Sequence, residues 1–336
     1  MSTVCQKPGL GESKDRDFSG TGQPEARSAK TDARFDLGVF IMTIWHEVHT
    51  GVVHPWLCDQ FGHLNVRQYA NLFNEAMFHA YAKTGMSHGV VMKTGAHGVA
   101  SIVRTTFIQE LPVGNLVTTE AALIRASNKT CTFVLRMRNT ETGDIHATLE
   151  TLEVFFNPET RSSTPIPDAL RPLIQAQLDG PDPVPDLPDM PREAPEVARW
   201  HELHRGVCFP WHCDQYGHMN VRWYAHFLDD AIFHIWSKLG TGWKEMEAHG
   251  VHTVTASTTT HFRKEIKSAD LFVVESGVAR CGSKSVTFRQ HIKNVETGET
   301  HGYQDVVEVF FDPNTRKSTA MPAPVRAALE AELASS

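Results

Sequence analysis

The chain has 336 residues, of which 41% are hydrophobic and 21% charged, with a net charge of −7. That length accommodates two domains, each able to bury its own core, and the composition is that of a soluble globular protein. The acidic balance argues against a nucleic-acid partner, and no apolar run approaches the roughly 18 residues needed to cross a bilayer.

Residues 1–38 are rich in Ser, Gly, Lys, Asp and Thr and poor in large apolar groups. Such a segment cannot bury enough surface to offset its ordering entropy, so a disordered tail is expected. It lacks an apolar h-region, and Glu12, Asp15 and Asp17 argue against a transit peptide. An apolar strand is expected around 45–55, followed by the segment CDQFGHLNVRQYA from Cys58. A helix then opens with Asn65 as its cap. Tyr69, Leu72, Phe73, Ala76, Met77 and Ala80 follow at helical spacing, and Gly85 suits the left-handed position past the end. Four β-like runs come next, near 99–110, 116–125, 130–138 and 145–156, with Glu141-Thr142-Gly143 at a hairpin turn. A short helix is expected over 167–178. The stretch GPDPVPDLPDMPREAP from Gly180 reads as an extended, semi-rigid linker. The expected organisation is a tail (1–38), a first domain (39–179), a linker (180–196) and a second domain (197–336).

The second domain restates the first. CDQYGHMNVRWYA begins at Cys213, 155 residues after Cys58, and from His49 to Gly85 about 20 of 37 positions match their counterparts. The register persists at Phe107/Phe262, Glu110/Glu265, Arg125/Arg280 and Lys129/Lys284, and where Glu153-Val154-Phe155-Phe156 meets Glu308-Val309-Phe310-Phe311. A strand near 200–210, a helix after Asn220, a hairpin at Glu296-Thr297-Gly298 and a helix over 322–333 follow suit. The unit is a whole domain, far longer than a solenoid repeat. One strand, one long helix and a run of antiparallel strands make an α+β pattern in which a sheet covers a single helix. The polar motif repeats more faithfully than the apolar residues around it. Packing alone tolerates apolar exchanges, so the retained polar set points to chemistry. Six cysteines at 5, 58, 131, 208, 213 and 281 form no CxxC pair, as expected of reduced thiols in a cytoplasmic protein.

Asp, Gly-His at +3 and +4, Asn at +6 and Tyr at +10, opening a long helix, resembles the 4-hydroxybenzoyl-CoA-thioesterase-like branch of the hotdog superfamily. The resemblance covers nearly all of the chain outside the tail and linker. It implies a double hotdog, each half an antiparallel sheet wrapped around one long central helix, paired as an intramolecular pseudo-dimer with further homo-oligomerisation left open. It also implies hydrolysis of an acyl-CoA thioester to free acid and CoA, with sites at the interface between halves and with no metal or organic cofactor. Plant acyl-ACP thioesterases share the spacing but carry Asn at +2, where this chain has Phe61 and Tyr216.

Under that resemblance Asp59 and Asp214 face the thioester, either activating water or attacking to form a mixed anhydride; both routes stay open. Either carboxylate also suits a helix N-terminus on electrostatic grounds. Backbone N–H groups at Asn65-Val66 and Asn220-Val221 lack helical acceptors and suit a developing oxyanion. Asn65 and Asn220 cap the helices or orient water. Gly62 and Gly217 permit a tight turn or a close substrate approach, and their backbone N–H groups are counted with those of Val66 and Val221 as oxyanion donors. His63 and His218 hold the carboxylate or move a proton, and Tyr69 and Tyr224 pack or reach the acyl group. Trp56 and Trp211, with Trp223, Trp236 and Trp243, offer aromatic faces to substrate, including a cationic acyl group. Lys129 and Lys284, like Arg161 and Arg316, stand near strand ends, where related hotdogs place basic residues against CoA phosphates. A zinc site from His54, Cys58, Asp59 and His63 is disfavoured, because Phe209 replaces His54 in the second copy and the spacing matches no common site. A neighbouring Asp raises a thiol pKa, which argues against Cys58 or Cys213 as nucleophile. The reading is therefore an acyl-CoA thioesterase without cofactor, with acyl-CoA as partner and neither nucleic acid nor membrane. The alternatives are an acyl-ACP thioesterase, a hotdog enoyl-CoA hydratase (whose G-D-x-N-P-x-H segment is missing) and a non-catalytic acyl-CoA-binding protein.

Overall fold

The two periodicities in each repeat, 3.6 after the motif and 2 beyond it, become one helix and one antiparallel sheet. The computed structural model describes residues 42–183 and 196–334; the expected tail and most of the expected linker lie outside the described residues. The first half runs β1 (His46–Val52), α1 (Val66–Lys83), α2 (His88–Met92), β2 (His97–Phe107), β3 (Leu116–Ala126), β4 (Thr130–Asn139), β5 (Ile145–Asn157) and α3 (Arg171–Leu178). The second runs β6 (His201–Val207), α4 (Val221–Lys238), α5 (Trp243–Ala248), β7 (His252–Phe262), β8 (Leu271–Cys281), β9 (Ser285–Asn294), β10 (Thr300–Asp312) and α6 (Ala323–Leu333). The short helices α2 and α5 were not anticipated from the sequence.

Helix α1 starts where it does because the Asn65 side chain accepts the Arg67 N–H, and it stops because Gly85 takes φ 79°. Its inner face buries Tyr69, Phe73, Ala76 and Ala80. The two alanines let the helix lie close against the sheet while Phe73 fills the space between; truncating such a phenylalanine costs about 3–5 kcal/mol. Helix α4 repeats the arrangement with Asn220 as cap and Tyr224, Leu228, Ala231 and Ile235 inside.

The strands form one continuous antiparallel sheet in the order β1-β3-β4-β5-β2-β7-β10-β9-β8-β6. The halves join edge to edge where β2 pairs β7, with Thr106 opposite Ser257, Arg104 opposite Thr259 and Ile102 opposite His261. Arg104 and Thr259 occupy the same position in the two copies, so a local pseudo-twofold axis passes between them. Each half thus covers its own helix, and the expected pseudo-dimer is a single sheet wrapped around two helices. Across the same axis, α1 meets α4 through Arg67, whose Nε donates to Asp229 Oδ2 at 2.7 Å and whose Nη2 donates to Asp230 Oδ1 at 2.5 Å.

After β5 and β10 the chain turns sharply into a two-residue strand, Ser162–Ser163 or Lys317–Ser318, that folds back on the strand it left. Asn157 Oδ1 accepts the N–H groups of Glu159 and Thr160 at 2.8 and 3.1 Å, and Asp312 does the same for Asn314 and Thr315 at 2.8 and 3.3 Å. Both turns close on an arginine in the left-handed region, Arg161 at φ 52° and Arg316 at φ 56°. A non-glycine residue there costs about 1 kcal/mol.

Candidate active sites across the pseudo-twofold axis

The motif is a tight loop that ends at the helix cap. The Asp59 N–H donates to His63 O at 2.8 Å, and the Gly62 N–H donates back to Asp59 O at 3.1 Å. Asp59 Oδ1 accepts the Phe61 and His63 N–H groups at 2.8 and 3.2 Å. The second loop is the same: Asp214 N–H to His218 O at 2.9 Å, Gly217 N–H to Asp214 O at 3.1 Å, and Tyr216 N–H to Asp214 Oδ1 at 2.8 Å. Gly62 and Gly217 sit at φ 80° and 83° with nothing within 4 Å of where a Cβ would be. They serve the turn, and their N–H groups are already engaged, so they are not the free donors expected for an oxyanion. The N–H groups of Val66 and Val221 have no acceptor among the described residues. Val66 and Val221 each line a cavity. Asn65 and Asn220 act as caps through their side-chain oxygens, and Asn220 Nδ2 also donates to Asn74 Oδ1 of the other half at 3.4 Å.

Each loop opens onto a cavity completed by the opposite half. The first, of about 610 Å³, is lined by Asp59, His63, Asn65 and Tyr69 and, from the second half, by Asp229, Trp236, Trp243, His252, Glu308 and Arg316. The second, of about 440 Å³, is lined by Asp214, His218, Asn220 and Tyr224 and, from the first half, by Asn74, Tyr81, His88 and Glu153. Both volumes fall in the range of small-molecule sites. The two are related but unequal: Asp229 replaces Asn74, Trp236 replaces Tyr81, and Trp243 replaces His88.

Charge is organised in the same crossed fashion. His218 Nδ1 lies 3.3 Å from Asp214 Oδ2 and its Nε2 lies 3.7 Å from Glu265 Oε1, while Glu265 is ion-paired to Arg161 of the first half. Burial pushes the His218 pKa down; Asp214 opposes this and Arg161 adds to it. In the first loop His63 Nε2 lies 3.5 Å from Glu110 Oε2, and Arg316 of the second half pairs with Glu110 and places its Nη2 3.2 Å from His63 Nε2 and 3.4 Å from Nδ1. Tyr69 and Tyr224 are buried edge-on against Phe107 and Phe262. Burial pushes both phenols up, so they remain neutral.

Several contributors escaped the sequence reading. Glu153 and Glu308 are buried carboxyls in the cavity walls. Glu153 accepts from Thr151 Oγ1 at 2.7 Å and Tyr81 Oη at 3.2 Å, and Glu308 accepts from Thr255 Oγ1 at 2.5 Å. Burial raises the pKa of each. The signal was present, since an acid interrupts an apolar strand in both copies. Asp229, whose pKa burial raises against the pull of Arg67, had no such signal because its counterpart is Asn74. The Arg222 Nε that mirrors Arg67 is buried without an acceptor among the described residues.

Four residues expected to bind substrate lie elsewhere. Trp56 and Trp211 are 73% and 65% exposed, stacked on His54 and Phe209, and line neither cavity. The prolines before them set a one-turn helix that points the indole outward. Of the anticipated tryptophans, Trp236 and Trp243 do line the first cavity, Trp243 packing on His252 with centroids 4.2 Å apart. Lys129 and Lys284 reach back to Ser163 O and Ser318 O at 3.4 and 3.3 Å and tie down the hairpins after β5 and β10. The Cys58 thiol is pushed up by burial and by Asp59, which keeps it protonated. Among the described residues, no three His, Cys, Asp or Glu side chains converge as a metal-ligand set.

A sheet wrapped around two helices, with paired cavities each built from both halves, defines a double hotdog. Residues 53–176 and 208–329 each match the Thioesterase-like superfamily, and the chain belongs to that family. Solved structures share the whole tandem arrangement. A Lactobacillus plantarum protein assigned as an oleoyl thioesterase superposes with a TM-score of 0.65 at 13% identity, covering 80% of this chain and 96% of that one. The 12:0-ACP thioesterase of Umbellularia californica gives 0.62 at 15%, covering 82% and 97%. An acyl-ACP thioesterase from Bacteroides thetaiotaomicron gives 0.58 at 14%, covering 78% and 96%. At these identities the likeness is one of fold. No curated protein matches the sequence.

Proposed function

We propose that the chain hydrolyses acyl-CoA thioesters at both cavities. The observation that carries this reading is that, in each copy, a motif carboxylate and an unengaged helix N–H line one cavity shared between the halves. Asp59 or Asp214 takes a proton from a water whose oxygen attacks the thioester carbonyl carbon. The carbonyl oxygen becomes an oxyanion facing the Val66 or Val221 N–H in the positive field at the helix start, a contact worth roughly 3 kcal/mol in the transition state. The tetrahedral intermediate expels the CoA thiolate, which takes up the proton, and the free acid leaves. Direct attack by the carboxylate, through a mixed anhydride, uses the same atoms. Family membership supports thioester chemistry. The solved thioesterases of like fold that act on acyl-ACP make the acyl carrier protein the alternative carrier.

The test is release of free thiol from a panel of acyl-CoA and acyl-ACP thioesters by wild type, Asp59→Asn, Asp214→Asn and the double variant. Loss of a general base costs about 10²- to 10⁴-fold at a site. Each single variant retains the other cavity's turnover, and the double variant loses nearly all. A folded double variant with wild-type turnover refutes the assignment of Asp, and a chain inert on every thioester refutes the activity.

A further inference from the structure

The geometry points to Arg161 and Arg316 as positioning residues supplied in trans, each pairing with the glutamate beside the motif histidine of the opposite half so that this histidine and the adjacent aspartate stay set for base catalysis. This inference rests on the thioesterase reading above. The turns that carry these arginines are already closed by Asn157 and Asp312, and their last position is left-handed. Glycine or asparagine fits there without strain. The backbone therefore does not ask for arginine in either copy, and the reason for it lies at the end of the side chain.

That end reaches across the pseudo-twofold axis in both copies. Arg161 pairs with Glu265, and Arg316 pairs with Glu110. Each glutamate faces the motif histidine of its own half, at 3.7 Å from His218 and 3.5 Å from His63. Consider His218 without its arginine. It would lie between two carboxylates, Asp214 at 3.3 Å and Glu265. Opposite charges at such distances favour the protonated ring, and an imidazolium bound to Asp214 would hold that carboxylate as an ion pair. Arg161 takes the charge of Glu265 for itself and removes one of the two pulls. The groups facing His218 are thus Asp214, Glu265, Arg161 and Lys267, with His97 close by. In the first loop Arg316 pairs with Glu110, and its Nη2 lies against the His63 ring, 3.2 Å from Nε2 and 3.4 Å from Nδ1. The groups facing His63 are Glu110 and Arg316, and Asp59 Oδ1 holds its backbone N–H. A motif histidine flanked in both cavities by a glutamate of its own half and an arginine of the other accounts for the left-handed arginines.

The experiment isolates one cavity at a time. In an Asp59→Asn background only the second cavity turns over, and Arg161→Gly is compared with Arg161→Lys; Asp214→Asn with Arg316→Gly and Arg316→Lys is the mirror pair. Thiol release is followed from an acyl-CoA and from the matching acyl-pantetheine, which has the same thioester and no nucleotide. Arg161→Gly should lower kcat about tenfold or more on both substrates with little change in KM, as expected for impaired base catalysis. The acid limb of kcat should move to higher pH, because Asp214 and Glu265 now both favour protonated His218, and Lys should restore part of the rate. If Gly leaves backbone folding in doubt, Arg161→Asn, also at ease in the left-handed turn, is measured in its place. A KM defect confined to acyl-CoA would assign the arginine to CoA phosphates and overturn the inference. So would unchanged kcat and an unmoved pH profile in an active background. A background inert on both thioesters would instead strike the activity itself.

Discussion

Replacing Arg67 with methionine removes the cation that joins α1 to α4 while keeping most of the side-chain volume. Arg67 is 22% exposed and Asp229 11%, whereas Asp230 is 44% exposed. The Asp230 contact is therefore screened by solvent and worth at most about 1 kcal/mol. The Asp229 contact is not: without Arg67 a buried carboxylate is left alone, a loss of roughly 3–5 kcal/mol when one partner of a buried pair is removed. For a chain of this size that lowers the melting temperature by roughly 5–10 °C. Burial already raises the Asp229 pKa, with Arg67 holding it back, so the variant's folded state binds a proton more readily than its unfolded state. Its deficit is therefore largest at pH 8 and shrinks toward pH 5. The second copy supplies the rescue, because Asn74 stands where Asp229 does. Arg67→Met combined with Asp229→Asn should recover most of the loss. Differential scanning fluorimetry of the four chains at both pH values closes the cycle. A single variant that melts within 1–2 °C of wild type at pH 8, or a double variant no better than the single, would show that the buried pair does not hold the helices together as argued.

Three further outcomes are expected. Glu153 and Glu308 have folded-state pKa values raised by burial, so their stabilising contribution is complete below the unfolded pKa near ~4.3 and is lost as pH rises through the folded value. Glu153→Gln with Glu308→Gln should thus gain melting temperature over wild type at pH 8 and not at pH 4; a pH-independent difference rejects the reasoning. Gly62→Ala and Gly217→Ala meet no neighbouring atom but hold φ near 80°, so each should cost about 1 kcal/mol in denaturant titration, and a neutral result would mean the loop relaxes freely. Trp56→Ala and Trp211→Ala should leave kcat/KM within about twofold, since surface substitutions rarely matter beyond ~0.5 kcal/mol; a larger loss would place these exposed rings on the substrate path.

The elements most legible in the sequence were those repeated twice. The 155-residue register marked both central helices, their asparagine caps and the four long strands of each half to within a few residues. Helices α2 and α5 were missed because five or six residues carry too little periodicity to stand out. The motif residues came together as expected, for they are neighbours in the chain. What the sequence could not display was the partner each motif meets. Glu308 is 249 residues from Asp59, and Arg316 is 253 residues from His63; only the pairing of β2 with β7 brings them to one cavity. The exposed tryptophans misled for the opposite reason, since an aromatic close to a site in sequence need not turn toward it.

The pseudo-twofold axis between Arg104 and Thr259 gives this chain a property that two separate subunits would not share. In a symmetric dimer any change made for one cavity is imposed on the other, and both dissolve when the protein is dilute. Here the halves are tethered, and a short covalent tether keeps partners at an effective concentration on the order of millimolar. Catalytic output per chain should then be independent of dilution. The tether also lets each cavity carry its own wall, as Asp229 against Asn74 and Trp236 against Tyr81 already do. One polypeptide thereby presents two differently walled cavities from a single folding event.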